Sequence, residues 1–304
     1  LHLGNARTFL INWLLARQNN WSVILRIEDL DGPRVKPGAA QEAIEDLRWL
    51  GLDWDSGPVY QSTRLQLYQG AIDQLLRLGH AYPCVCSRKE AQSAASAPHA
   101  EDGAPRYPGT CWKRYDSVEE ARRATGKEPA IRLHVPEIAV EFPDNVRGHV
   151  SIPMTDLGDF VIAKADGTPG YQLAVVVDDV QMRIAHVVRG DDLLESTARQ
   201  ICIYRVLGFE NCIPQYTHLP LVLGKDGLRL AKRHGDSRLS YYRSKGVRPE
   251  TIIALLARWC GIQGIQCKLT ARELIGRFEL SHLSPDPIVF SPQDDAALLA
   301  NGLT

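Results

Sequence analysis

A chain of 304 residues with 44% hydrophobic and 23% charged residues is long enough to bury a full core and is far from the composition of a disordered or low-complexity segment. Its net charge of −1 supplies no global attraction for nucleic acid, although a neutral total can hide a basic face. No apolar run approaches the roughly 20 residues of a membrane-crossing helix and no signal-peptide pattern opens the chain, so the expectation is a cytoplasmic protein with no membrane partner.

Leu3, Ala6, Leu10, Trp13 and Leu14 recur at helical spacing, which predicts a helix over 3–17 with one buried face. Val23, Ile24, Leu25 and Ile27 form a short apolar run with Glu28, Asp29 and Asp31 gathered at its end, the pattern of a buried parallel strand that delivers acids to the ligand edge of an open α/β sheet. Helices are predicted over 38–50 and 63–78. From 82 to 159 the pattern loosens into an Ala-, Ser- and Pro-rich stretch and short strand-like pieces such as "AIRLHV", and this region reads as an insertion. "DFVIAKADGTPGYQLAVVVDD" reads as two strand runs around a DGTPG turn. "IAHVVRGDDLL" reads as a strand entering a helix, "TARQICIYRVLGF" as a helix, "THLPLVL" as a strand and "GKDGLRLAKRHGD" as a polar loop, with helices at "TIIALLARWC" and "ARELIGRF" beyond it. The expected organisation is a doubly wound α/β domain in two halves, 1–81 and 160–224, separated by the insertion at 82–159 and followed by a loop and short helical region over 225–304.

The start of the first helix is a ready phosphate site, because its backbone N–H groups are unpaired and carry partial positive charge. Gly4 would allow close approach, and His2 and Asn5 could donate to phosphate oxygens; equally, His2 is a turn residue and Asn5 a cap. Lys232, in the late polar loop, could bring an ammonium to a polyphosphate or simply be solvated. Neither GxxxxGK[ST] nor a strand-borne GxGxxG is present, which removes support for the common kinase and dehydrogenase folds. Basic residues cluster at Lys113, Arg114, Arg122, Arg123 and Lys127, and again from Lys232 to Arg248 with Tyr241 and Tyr242 interleaved. Seven cysteines, an odd number, disfavour a disulfide framework. Cys202, Cys212, Cys260 and Cys267 read as small core residues, whereas Cys84, Cys86 and Cys111 suit a zinc ion that would need a fourth, unidentified ligand.

"HLGN" with "ART", "RIEDLD", "YQLAVVVDD", "HVVRGDDLL" and a late "LAKR" occur in this order between Leu1 and about Gly235, and together they resemble the class I glutamyl-tRNA synthetase group. The resemblance implies a Rossmann-like catalytic domain in which the HIGH motif and the KMSKS loop hold ATP, accompanied by Mg²⁺. It places His2, Gly4 and Asn5 at the HIGH positions and Arg229 and Lys232 at the two KMSKS lysines, with His2 and Lys232 acting on the reacting phosphates. Asn5 replaces the second histidine, Arg229 the first lysine, and Ala231 and Arg233 stand where serines would be. For L-glutamate the resemblance assigns Glu28 to the ammonium group, Tyr171 to a contact and Arg189 to the side-chain carboxylate; the family's asparagine four residues after the tyrosine is Val175 here. Within the group, the spacing C-x-C-x20-Y-x3-C resembles the zinc element of the glutamyl-queuosine tRNA(Asp) synthetases, which implies Tyr107 as the fourth ligand beside Cys84, Cys86 and Cys111 of a structural Zn²⁺.

Only 68 residues follow Asp236, too few for the long helical anticodon-binding region of a full glutamyl-tRNA synthetase. The implied activity is therefore ATP-dependent formation of glutamyl-adenylate and transfer of glutamate to the queuosine base in the anticodon of tRNA(Asp). The alternatives are a shortened glutamyl-tRNA synthetase charging an acceptor end, or a non-catalytic tRNA-binding paralogue. A further expectation is that the strand that precedes HIGH in the family, with its glutamate-contacting arginine and serine, is cut from the chain. A monomer is expected.

Overall fold

The computed structural model describes residues 1–30, 32, 36–87, 89–91, 106–228, 230, 236–265 and 268–302. Helix α1 (Leu3–Gln18) leads through a short turn into β1 (Ile24–Ile27), α2 (Ala39–Trp49) and β2 (Ser56–Tyr60). β1 and β2 pair in parallel, so the segment containing α2 is a crossover of the βαβ kind. The residues of β1 are half-buried, less enclosed than their nearly continuous apolar run predicts.

α3 (Leu65–Arg77) feeds β3 (Ala81–Cys84), which pairs antiparallel with β4 (Ala130–Leu133) and through it with β7 (Phe160–Ala163). Between β3 and β4 lies α4 (Val118–Thr125), started by the Ser117 hydroxyl accepting from the Glu120 N–H and ended at Gly126 with φ 66°. β5 (Ala139–Asp144) and β6 (Gly148–Pro153) form a hairpin followed by the single turn α5 (Met154–Leu157). β5 also joins β9 (Gln215–Leu219), which runs parallel to β8 (His186–Gly190), giving the strand order β6-β5-β9-β8. α7 (Leu194–Val206) packs beside this sheet, and β10 (Val222–Leu223), α8 (Leu239–Ser244), α9 (Pro249–Trp259), β11 (Ile288–Val289) and α10 (Pro292–Leu299) complete the chain.

Three further expectations change. The second half of "DFVIAKADGTPGYQLAVVVDD" is a helix, α6 (Tyr171–Met182), not a strand. Every residue from Leu173 to Asp179 is buried, and an apolar run enclosed on all sides carries no periodicity to separate helix from strand. "ARELIGRF" closes only one tight turn, Ala271–Leu274, because Ile275 is extended and Gly276 sits at φ 82°. Cys212 is exposed, whereas Cys202 and Cys260 are buried as expected and Cys267 lies outside the described residues.

The core has two large bodies. α1 packs with α8, α9 and the C-terminal segment, while α3, α6 and α7 pack against the central strands. The second body is pinned by a polar cluster on the fully buried Asp178 of α6. Its carboxylate accepts from Gln61 Nε2 at 2.8 Å, Arg64 Nε at 2.7 Å and the Tyr68 hydroxyl at 2.9 Å. Removing one member of such a cluster leaves the others desolvated and unpaired, so Asp178→Ala should lower unfolding free energy by about 3–5 kcal/mol, read as a shift of the urea midpoint at unchanged m-value.

Candidate active site

The start of α1 is organised by His2, whose backbone is extended (φ −117°, ψ 165°) and whose Nδ1 accepts the Asn5 N–H at 3.3 Å. An imidazole that accepts at Nδ1 carries its proton on Nε2. A Cβ on Gly4 would lie 3.1 Å from His2 Cε1 and 3.2 Å from Nδ1, so this glycine lets the imidazole fold back over the first turn. Two other segments meet there. The Leu3 N–H donates to the Ser237 carbonyl at 3.0 Å and His2 bridges Arg238 in antiparallel fashion, while Val222 lies 3.6 Å from where a Gly4 Cβ would stand. Leu230 donates its N–H to the Val222 carbonyl at 3.1 Å. Arg229 and Lys232, with Ala231 and Arg233, lie outside the described residues.

Glu28, Tyr171 and Arg189 line a single cavity of about 340 Å³, together with Arg26, Val175, Asp179 and apolar residues of α1 and β1. Its described lining does not include His2, Gly4 or Asn5. Arg26 Nη1 donates to Asp179 Oδ1 at 2.7 Å and Nη2 to Glu28 Oε1 at 3.2 Å. Burial opposes the Arg26 charge, but Asp179, Glu28 and Asp178 together hold its pKa above the ordinary arginine value, and burial raises that of Asp179 despite its partner.

Arg189 is buried at the end of β8 and is held from behind. Its Nε donates to His218 Nε2 at 3.2 Å and its Nη2 to Thr197 Oγ1 at 2.6 Å. His218 is fully buried and its Nδ1 meets Asp144 Oδ2 at 2.7 Å. Asp144 is itself saturated by the backbone N–H groups of Val146, Arg147 and His218.

The three sulfurs of Cys84, Cys86 and Cys111 lie within 4.8 Å of one another, with Cys86 and Cys111 at 3.5 Å. A zinc ion about 2.3 Å from each thiolate sets tetrahedral sulfurs about 3.8 Å apart, so the cluster has the right size. The Tyr107 oxygen is 3.4 Å from Cys84 Sγ and 3.3 Å from Cys86 Sγ, and accepts the Cys111 N–H at 3.1 Å. Burial pushes Cys86 up to about 11, whereas at Cys111 hydrogen bonds, first from Tyr107 and then from the Val85 backbone, overcome burial and lower the value. Arg132 donates its Nε to Cys84 Sγ at 3.3 Å and covers the Tyr107 ring at 3.8 Å from its centre.

Residues 1–294 match the catalytic-domain family described as tRNA synthetases class I (E and Q). The chain belongs to this family. It is 46% identical over 307 residues to the glutamyl-Q tRNA(Asp) synthetase of Symbiobacterium thermophilum, covering 98% of this chain and 94% of that protein. It is 48% identical over 275 residues to the protein of the same name from Rhodopirellula baltica, covering 86% and 82%. Among solved structures it is similar to a glutamate tRNA ligase from Elizabethkingia meningosepticum in complex with its amino acid, with TM-score 0.81 and 28% identity. That likeness covers 97% of this chain but 65% of the ligase, so the chain spans about two-thirds of its length.

In this E and Q catalytic domain the structure brings the three residues assigned to glutamate into one cavity and the four assigned to zinc into one cluster, and His2, Gly4 and Asn5 are not among the described residues lining that cavity. Sequence reading missed Arg26 and Asp179, although both sit inside quoted motifs, and it missed Arg132, Asp144, Thr197 and His218 altogether. The interleaved tyrosines also change meaning: Tyr242 is fully buried with its hydroxyl donating to Asp295 at 2.6 Å, so it is a core residue. In the basic clusters, Arg122 pairs with Glu128 at 2.8 Å and Lys113 lies over Trp112, which stacks on His134.

The buried imidazole makes stability depend on pH. Burial lowers the His218 pKa below its ordinary 6.5, with the Arg189 charge acting the same way and Asp144 and Asp191 opposing. Below that value the unfolded chain binds the extra proton and the folded chain resists it, so stability is full above pH 6.5 and falls as the pH drops. Urea midpoints measured from about pH 7.5 down to 5.5 should decline in the parent and decline less in His218→Gln, which has no imidazole to protonate.

Proposed function

We propose that the protein activates L-glutamate with ATP and transfers the glutamyl group to the queuosine base in the anticodon of tRNA(Asp). The observation that carries this reading is the single cavity that presents a carboxylate, Glu28, and a buried guanidinium, Arg189, to the same ligand. A zwitterionic amino acid with a second carboxylate needs an anionic and a cationic contact, and a guanidinium fork favours carboxylate over a neutral amide. The 46% and 48% identity over most of this chain to two proteins named glutamyl-Q tRNA(Asp) synthetase supports the queuosine acceptor over a tRNA 3′ end.

In this mechanism Glu28 receives the ammonium group, Tyr171 flanks the substrate and Arg189 holds the side-chain carboxylate. The α-carboxylate attacks the α-phosphate in line and pyrophosphate leaves, with no covalent enzyme intermediate. The α1 N-terminus with His2 and Asn5, together with Arg229 and Lys232, binds ATP, and His2 and Lys232 stabilise charge on the reacting phosphates. Mg²⁺ bound with ATP would supply further charge neutralisation. A hydroxyl of the queuosine cyclopentenediol then attacks the mixed anhydride and releases AMP, its proton passing to solvent. Cys84, Cys86, Cys111 and Tyr107 would hold a structural Zn²⁺ that fixes the insertion.

With ATP and labelled glutamate, the protein should label tRNA(Asp) carrying queuosine and leave tRNA(Asp) lacking it unlabelled; label at the acceptor end instead would establish a shortened glutamyl-tRNA synthetase. Lys232→Ala should slow glutamate-dependent ATP–pyrophosphate exchange by about 100-fold, and near-normal exchange would remove Lys232 from the mechanism. The purified protein should hold one equivalent of zinc, as measured by elemental analysis. Cys86→Ser should lose the metal, and chelation should lower the Tm of the parent but not that of the variant.

A further inference from the structure

Arg189 offers five N–H donors, and two of them are spent inside the protein. Nε–H and the neighbouring Nη2–H point the same way from the guanidinium plane and form its side-on fork. His218 Nε2 and Thr197 Oγ1 occupy that fork, at 3.2 and 2.6 Å. What remains is the end-on edge, Nη1 with the second hydrogen of Nη2, and Arg189 is one of the residues lining the cavity.

The occupants of the side-on fork must both be acceptors. Thr197 can accept because its own proton has another acceptor to go to, His218 Nε2 at 2.9 Å or the Leu193 carbonyl at 3.2 Å. His218 can accept at Nε2 only if its proton sits on Nδ1, and the Asp144 carboxylate 2.7 Å from Nδ1 is what puts it there. Asp144 cannot reverse that preference, since the backbone N–H groups around it demand an acceptor on both oxygens. All four side chains are buried, so no water can substitute for a misplaced proton.

We propose that Asp144 and His218 are positioning residues for amino-acid selection: through the imidazole tautomer they hold Arg189 with its end-on edge towards the substrate's side-chain carboxylate. This rests on the assignment of Arg189 to glutamate made above. Asp144→Asn is the sharpest variant, because it preserves size and replaces one acceptor oxygen by an NH₂ group. The favoured imidazole tautomer then reverses, and an Nε2–H faces the Arg189 Nε–H. His218→Leu removes the acceptor outright. His218→Gln can return an acceptor oxygen to the Nε2 position.

Steady-state ATP–pyrophosphate exchange on the full-length protein tests this, with the Tm of each variant recorded. Asp144→Asn and His218→Leu should raise the glutamate KM about 10–100-fold, with the ATP KM and kcat within about threefold, and His218→Gln should restore the glutamate KM to within about fivefold of the parent. A general loss of structure would instead move both KM values and kcat. Should Asp144→Asn or His218→Leu fail to fold, Thr197→Val, which removes the second acceptor at nearly the same volume, carries the same expectation. A glutamate KM within twofold of the parent in the folded variants overturns the inference and leaves the functional reading intact. A parent that shows no glutamate-dependent exchange overturns the functional reading, and the inference falls with it.

Discussion

The arrangement of the cavity depends on how two adjacent carboxylates of α6 are neutralised. Asp178 and Asp179 follow one another on a helix, so they point in different directions, and each, being buried, must find its own cation. Asp179 takes Arg26 from β1, and Asp178 takes Arg64 together with Gln61 and Tyr68 from the turn and helix after β2. Arg26 also lies 3.8 Å from Asp178. The parallel β1–β2 pair is thereby tied to α6 at a fixed register, and Glu28, two residues beyond Arg26, is delivered to the wall that Tyr171 and Arg189 share. A charge left over on either side would cost several kcal/mol, which makes the register nearly all-or-none.

Part of this was legible in the sequence and part could not be. α1, β1 and α2 announce themselves through periodicity and through the acids that collect at the end of β1. The cysteine spacing named three metal-binding candidates, and the structure places their sulfurs together. α6 was misread because "AVVVDD" is buried on every side, and no periodicity survives when there is no solvent face. Asp144 and His218 are 74 positions apart, and Arg189 and His218 are 29 apart; contacts of that span come from the pairing of β5, β9 and β8, which local pattern does not encode. Gly4 illustrates a subtler limit. The sequence reading expects it to admit a phosphate, and the structure shows instead that it admits the His2 ring folded against it.

Under the proposed function, the late polar loop acts together with the start of α1. A helix N-terminus attracts anions only within its first turn, so any cation that is to cooperate with it must be brought close by another segment. Here β10 approaches Gly4 on one side of the loop, and Ser237 and Arg238 pair with the Leu1–Leu3 backbone on the other. The described residues on both flanks of the loop are thus fixed against the same helix start.

The cysteine cluster obeys a different constraint. Among the described residues around it, the apolar cluster is small, Tyr82, Cys84, Tyr107, Cys111, Tyr115 and Ala121 with a few half-buried neighbours, and apolar burial on that scale does little to fix a loop. Crosslinking by a divalent ion would do so, but three thiolates around it leave one uncompensated negative charge, and a phenolate fourth ligand would leave two. Arg132 addresses both cases from one position, because its Nε meets Cys84 Sγ while its guanidinium lies flat over the Tyr107 ring. It comes from β4, the strand paired with β3 that carries Cys84, so the cation that balances the cluster is set by sheet register and not by the loop it stabilises.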